Sequence, residues 1–189
     1  YPGKSLAGNL LGFVGRDQDR ALDGLERIFH DYLTSDEGEV NSTGPALFLT
    51  LDALIQSRLE EQLAKEFEAT RSKHAIGIMM NVRTGEVLAM ASYPNFDPNR
   101  YYASNPEQRT NWAIRLNYEP GSTVKIFMAA ILLQEGVLHP GERFQCNGEL
   151  HFYDSVVRCK TGTRLISHGS LTLEEIIQYS CNVGIIQAM

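Results

Sequence analysis

The stretch Pro120-Gly121-Ser122-Thr123-Val124-Lys125 runs directly into the apolar segment Ile126 to Leu133. No other feature restricts the fold as much. A helix that is apolar all round, rather than along one stripe, belongs in a core. The segment therefore predicts a buried central helix, closed by Gly136 as its C-cap. Ser122 and Lys125 stand three residues apart at its start, so they share a helix face one turn apart. The unsatisfied N–H groups and positive dipole end of a helix favour negative charge at that point.

These residues allow two readings. In one, the apolar surroundings desolvate Lys125 and push its pKa down, so that a neutral amine can take the proton of Ser122, the Ser-Lys variant of a serine nucleophile. In the other, Ser122 is an N-cap and Lys125 a snorkelling surface lysine. A second stretch bears on the choice. Thr172 caps a helix over Leu173 to Ile177 that stops at Ser180-Cys181-Asn182. By itself this triplet is an ordinary helix-ending turn.

The remaining pattern predicts alternating helices and strands. Tyr1 to Gly15 is broken by four glycines and predicts turns and short strands rather than helix. Asp17 to Leu33 carries Leu22, Leu25, Phe29, Tyr32 and Leu33 at helical spacing. Ser35-Asp36-Glu37-Gly38 and Asn41-Ser42-Thr43-Gly44-Pro45 mark a domain boundary, dividing residues 1–45 from 46–189. Leu47 to Leu51 predicts a short strand, and Asp52 caps a helix to about Ala69 with Ile55, Leu59, Leu63 and Phe67 inward. Ala75 to Val82 and Glu86 to Ser92 predict a hairpin turned at Gly85. Tyr93 to Tyr118 predicts ordered loop or short helical turns, and Val137 to Gly169 loop with short elements. The expected fold class is α/β, in α+β layers with an antiparallel sheet flanked by helices.

Composition removes some functions. A net charge of −6 and a pI near 5.4 lack the clustered excess of Lys and Arg that nucleic-acid binding needs. No apolar run reaches the roughly 18 residues that cross a bilayer, and no leader pattern opens the chain. With no initiator Met, an anchor or export signal is expected upstream of Tyr1. Cys146, Cys159 and Cys181 allow one internal pair at most; Cys146 and Cys159 either bridge, if the protein is exported, or stay as unpaired loop thiols. The five histidines form no His-x-x-x-His and the cysteines no Cys-x-x-Cys, so neither a metal site nor a cofactor is expected.

In order along the chain, Pro-Gly-Ser-x-x-Lys and Ser-Cys-Asn match the first two motifs shared by penicillin-binding proteins and serine β-lactamases. The chain resembles the class B penicillin-binding proteins, monofunctional D,D-transpeptidases of bacterial cell-wall synthesis. Gly24-Leu25-Glu26, Leu49-Thr50-Leu51-Asp52, Leu54-Ile55-Gln56, Arg83-Thr84-Gly85-Glu86-Val87-Leu88-Ala89-Met90 and Tyr118-Glu119-Pro120-Gly121-Ser122 are similar to that family in its order. The resemblance implies that residues 1–45 end an N-terminal pedestal and that 46–189 begin the transpeptidase domain. It makes Ser122 the acylated nucleophile and Lys125 its general base. The Ser122 backbone N–H would form half of an oxyanion hole, Ser180 would relay a proton to the leaving group, and Asn182 would hold the substrate amide. Cys181 matches a variable position and reads as a packing group. The implied partners are peptidoglycan stem peptides ending in D-Ala-D-Ala, β-lactams that mimic them, and a membrane glycosyltransferase. The implied location is extracytoplasmic, with an N-terminal transmembrane anchor.

Two departures qualify that resemblance. The family's third motif, Lys-Thr/Ser-Gly, follows Ser-x-Asn, whereas this chain ends at Met189; the C-terminal strands of the sheet are expected to be missing, and the chain alone inactive. Lys160-Thr161-Gly162 has the right letters between the wrong motifs and is read as coincidence. The competing functions are a serine β-lactamase, against which the stretch Tyr1 to Pro45 counts, and a non-enzymatic β-lactam sensor or division scaffold.

Overall fold

In the computed structural model, which describes residues 1–15, 20–35, 45–139 and 141–189, the chain forms two units, Tyr1–Asn117 and Tyr118–Met189.

The first unit opens with a one-turn helix where none was expected, α1 (Gly8–Leu11), before the short strand β1 (Phe13–Val14). β1 pairs antiparallel with β2 (Ala21–Asp23), and α2 (Gly24–Ile28) and α3 (His30–Leu33) follow. The helix expected over Asp17 to Leu33 is thus not continuous; residues 17–19 of that span lie outside the described residues. Its middle is taken by β2, and α2 starts only at Gly24, whose φ of 64° is left-handed. Gly12 and Gly24 meet so closely that a Cβ on Gly12 would collide with the Asp23 carbonyl. Backbone contact of that kind overrides helical periodicity. The expected boundary at Ser35 to Pro45 falls mostly on residues 36–44, outside the described residues.

Leu47 to Leu51 is not a strand. The segment hooks onto the neighbouring sheet by single bonds instead, with Thr50 Oγ1 donating to Val87 O at 2.6 Å and Asp52 N to Leu88 O at 2.9 Å. Asp52 then caps α4 (Ala53–Thr70), its Oδ1 accepting from the amides of Leu54 and Ile55 at 2.9 Å. This satisfies two of the donors a helix start leaves free. Ile55, Leu59, Leu63 and Phe67 are partly buried, and fully buried among them is Gln56. Its amide bonds Met90 both ways, Nε2 to O and N to Oε1 at 2.9 Å each. Gln56 therefore pairs with the sheet as another strand would.

That sheet is the expected hairpin, β3 (Ala75–Met80) against β4 (Val87–Tyr93), with Ile78 opposite Met90. α4 lies so close that a Cβ on Gly77 would stand 2.7 Å from Leu59 Cδ1. A 3₁₀ turn (Pro98–Ala103), α5 (Pro106–Arg109) and α6 (Trp112–Arg115) complete the unit. The N-terminal segment packs on them: Asn9 Nδ2 donates to Gln108 O at 2.6 Å and Thr110 O at 3.2 Å, and Phe13 stacks on Tyr101 with centroids 4.5 Å apart.

The second unit begins with a 3₁₀ turn (Gly121–Thr123) leading into α7 (Val124–Gln134). Here the sequence expectation of all-round burial is corrected. Lys125, Ala129 and Leu132 are buried, but Ile126, Phe127 and Ile131 are 60%, 64% and 54% exposed. Within this unit the helix is covered on one face, by elements from its C-terminal end.

Those elements are small. β5 (Phe144–Cys146) pairs antiparallel with β10 (Gly169–Leu171), and between them lie two hairpins, β6 (Glu149–Phe152) with β7 (Ser155–Arg158) and β8 (Lys160–Thr161) with β9 (Arg164–Leu165). Thr172 starts α8 (Leu173–Gln178) with a full capping box, its hydroxyl accepting from Glu175 N while Glu175 accepts from Thr172 N. α9 (Asn182–Ala188) follows. Ile176, Val183, Leu171 and the three cysteines form the core of the unit. Gly184 lets α9 approach α8, since a Cβ there would be 2.7 Å from Ile176 Cγ1.

Candidate active site

Two chain reversals bring the expected residues together. The first is the turn Pro120–Thr123, in which Gly121 has a φ of 57° and Ser122 lies exposed just before α7. The second ends α8. Cys181 N donates to Ile176 O at 2.9 Å and Ser180 N to Ile177 O at 3.1 Å, the paired bonds of a Schellman ending, and Ser180 holds its left-handed position with a φ of 51°. Glycine is the usual residue there. A serine in that conformation is uncommon and marks a place where the side chain matters.

From these turns the side chains converge. Lys125 Nζ donates to Ser180 O at 2.6 Å, Ser180 Oγ at 3.0 Å and Asn182 Oδ1 at 2.6 Å. Ser180 Oγ donates to Ser122 Oγ at 2.7 Å. Asn182 is steadied from its other end, Nδ2 donating to Arg158 O at 3.0 Å. Lys125 is 7% exposed, and that burial lowers its pKa, with the nearby Cys159 and Cys181 sulfurs pulling weakly the other way. The snorkelling-lysine reading is therefore set aside by the burial and by three oxygen partners.

The geometry also refines the expected contact between amine and hydroxyl. The partners of Lys125 are Ser180 and Asn182, and Ser122 is reached through the Ser180 hydroxyl. An unbroken row of hydrogen bonds joins Ser122, Ser180, Lys125 and Asn182, and such a row can carry a proton in either direction. It opens into a cleft of about 450 Å³ lined by Ser122, Lys125 and Asn182 together with the apolar Met128, Ile185 and Ile186. Lys160-Thr161-Gly162 sits apart from the row in the exposed β8–β9 hairpin, with Gly162 turning it at a φ of 59°.

Residues 75–189 match the family described as the penicillin binding protein transpeptidase domain. The chain belongs to that family. Relatives extend the likeness to nearly its whole length: the probable peptidoglycan D,D-transpeptidase FtsI of Caulobacter vibrioides is 35% identical over 97% of the chain, and stage V sporulation protein D of Bacillus subtilis is 31% identical over 99%. Penicillin-binding protein 3 of Mycobacterium tuberculosis superposes over the full chain with a TM-score of 0.86 at 30% identity, and structures of it are complexed with aztreonam and with ampicillin. The class B resemblance and the α/β transpeptidase fold read from the sequence are thus established, as part of a larger domain. The chain spans 30% and 32% of the two relatives' lengths and 42% of the solved chain. Among the described residues no helix is long and apolar enough to cross a membrane.

Two contributors to this part of the penicillin-binding fold escaped the sequence reading. Arg158 enters only through its carbonyl, to which any residue type is indifferent. The strained turn at Ser180 was legible as a helix end, but not as a left-handed serine.

Proposed function

We propose that the full-length protein is a serine peptidoglycan D,D-transpeptidase, acylated at Ser122 by stem peptides ending in D-Ala-D-Ala and blocked by β-lactams. The observation that carries this reading is the hydrogen-bonded row from Ser122 through Ser180 to the buried Lys125. With Lys125 neutral, the row runs Ser122 O–H to Ser180 Oγ and Ser180 O–H to Lys125 Nζ. As the Ser122 oxygen attacks the carbonyl of the penultimate D-Ala, its proton passes along that row to the amine. The Ser122 amide, at the positive end of α7, supports the oxyanion. Collapse of the tetrahedral intermediate returns a proton through Ser180 to the departing D-Ala amine and leaves an ester on Ser122. An acceptor amine then attacks the ester, and the row works in reverse. Asn182 holds the substrate's amide in line, its carboxamide fixed between Lys125 and the Arg158 carbonyl.

On this reading the protein acts outside the cytoplasm, held by an N-terminal anchor, beside a glycosyltransferase that polymerises the glycan strands. The test is labelling of the full-length protein with a fluorescent penicillin. Wild type forms a stable covalent adduct and Ser122→Ala forms none. An adduct on Ser122→Ala, or on a residue other than Ser122 by peptide mapping, rules the assignment out. Release of the acyl group within seconds identifies a β-lactamase instead, and an adduct with no transfer to an acceptor amine identifies a sensor.

A further inference from the structure

The core of the second unit holds four side chains that the row above does not use. Cys146 closes β5, Cys159 lies between β7 and β8, His168 precedes β10, and Cys181 starts α9. Their donor atoms all lie within 4.8 Å of one another. Cys146 Sγ is 3.8 Å from Cys159 Sγ, Cys159 Sγ is 3.6 Å from Cys181 Sγ, and Cys146 Sγ is 3.5 Å from His168 Nδ1. The three cysteines are 0%, 4% and 0% exposed.

These spacings have a simple interpretation. Four ligands on a tetrahedral ion with Zn–S near 2.3 Å and Zn–N near 2.05 Å stand about 3.8 Å apart sulfur to sulfur and about 3.5 Å apart sulfur to nitrogen. The two sulfur–sulfur edges of 3.8 and 3.6 Å and the sulfur–nitrogen edge of 3.5 Å agree with these values. Backbone amides are aimed at the sulfurs, Val183 N donating to Cys159 Sγ at 3.5 Å and Gly184 N to Cys181 Sγ at 3.2 Å, as thiolate ligands require. The His168 ring is fixed by stacking on Tyr179, with centroids 5.8 Å apart and planes 13° apart. A disulfide accounts for less: it would use two of the three clustered sulfurs and leave one thiol and the imidazole without a purpose.

We infer that Cys146, Cys159, His168 and Cys181 form a closed tetrahedral site for a structural Zn²⁺ ion. Three soft sulfurs with one imidazole select zinc over the hard divalent cations. Binding replaces three S–H protons, which leave to solvent, and uses the lone pair of neutral His168 Nδ1; the bound set carries one net negative charge. All four positions are filled by protein, so the ion has no place for a reactive water and acts by holding the fold. What it holds is specific. Cys181 lies between Ser180 and Asn182, and its side chain points into the core while theirs meet Lys125. A metal bond to Cys181 pins the turn on which both polar residues depend.

The experiment is elemental analysis of the full-length protein, purified without chelator and dialysed against metal-free buffer. About one zinc per chain is expected, with all three cysteines shielded from alkylation until the ion is stripped. Co²⁺ exchanged into the site should give the intense absorption of a tetrahedral thiolate complex. Cys159→Ser and His168→Ala should each drop zinc below about a tenth of an ion per chain, while His168→Cys, which keeps four ligands, should retain it. Should the substituted chains fail to fold, the wild-type stoichiometry and the Co²⁺ spectrum decide alone. The site is refuted by zinc-free protein whose thiols react freely in the native state, by a mass showing any two of these cysteines oxidised to a disulfide, or by iron in place of zinc.

Discussion

Ser180 occupies a backbone position at which glycine would be unstrained, and two substitutions separate what its side chain does from what its backbone tolerates. Ser180→Gly and Ser180→Ala both remove the hydroxyl that links Ser122 to Lys125. Penicillin acylation of the full-length protein should fall in both by roughly two orders of magnitude or more. Only alanine keeps the left-handed strain, so Ser180→Gly should be the more stable of the two by about 1 kcal/mol in denaturant unfolding. Equal acylation in wild type and Ser180→Gly would remove the hydroxyl from the proton path. Lys125 supports a second expectation. Its folded pKa lies below the ordinary 10.5 because of burial, so between that lowered value and 10.5 the unfolded chain binds more protons than the folded one. Stability should therefore rise with pH through that window, and the acylation rate should rise as Lys125 loses its proton. Lys125→Met should flatten the first slope and abolish the second effect, read from unfolding midpoints and labelling rates across a pH series.

At the level of single elements, local chemistry was the legible part. Asp52 and Thr172 announce helix caps and Gly85 a turn, and all three act within four residues of themselves, where sequence and structure coincide. The elements that departed from expectation did so through distant contacts. The Asp17 to Leu33 pattern lost its helix to the close approach of Gly12 and Gly24, and Leu47 to Leu51 joined β4 by isolated bonds rather than as a strand. Gln56 is the clearest case: a polar residue beside an apolar stripe carries no signal in sequence, yet its side chain completes the bonding of Met90. Gln56→Leu keeps the volume and strands two partly buried backbone groups, each worth about 1–3 kcal/mol. The expected loss is at least about 2 kcal/mol in the denaturation free energy; a change under about 0.5 kcal/mol would mean water replaces the amide. The candidate site divides the same way. Ser122 and Lys125 stand out by type and spacing and Ser180 and Asn182 through the resemblance to a known family, whereas the Cys146, Cys159, His168 and Cys181 cluster is spread over four elements and has no short spacing to betray it.

Across the whole molecule the exposed face of α7 is the main departure. A helix of that composition is written for burial, yet Phe127 is 64% exposed. The relatives are about three times as long as this chain, and a protein of that length has chain enough to cover that face. Phe127→Ala in the full-length protein should therefore cost about 3 kcal/mol, as truncation of a buried phenylalanine does. A value within about 0.5 kcal/mol of zero, the ordinary result for a surface site, would show that the face stays open. The N-terminal segment carries a different consequence, which concerns the order in which the chain is made. Tyr1 and Asn9 bond to partners 98 to 101 residues further on, so these residues are made well before the part of their unit that holds them in place. Until Phe96 and Tyr101 have emerged, Phe13 lacks the two rings it packs against. The growing chain carries that ring uncovered while the residues between are made, an interval in which a holding chaperone has something to hold.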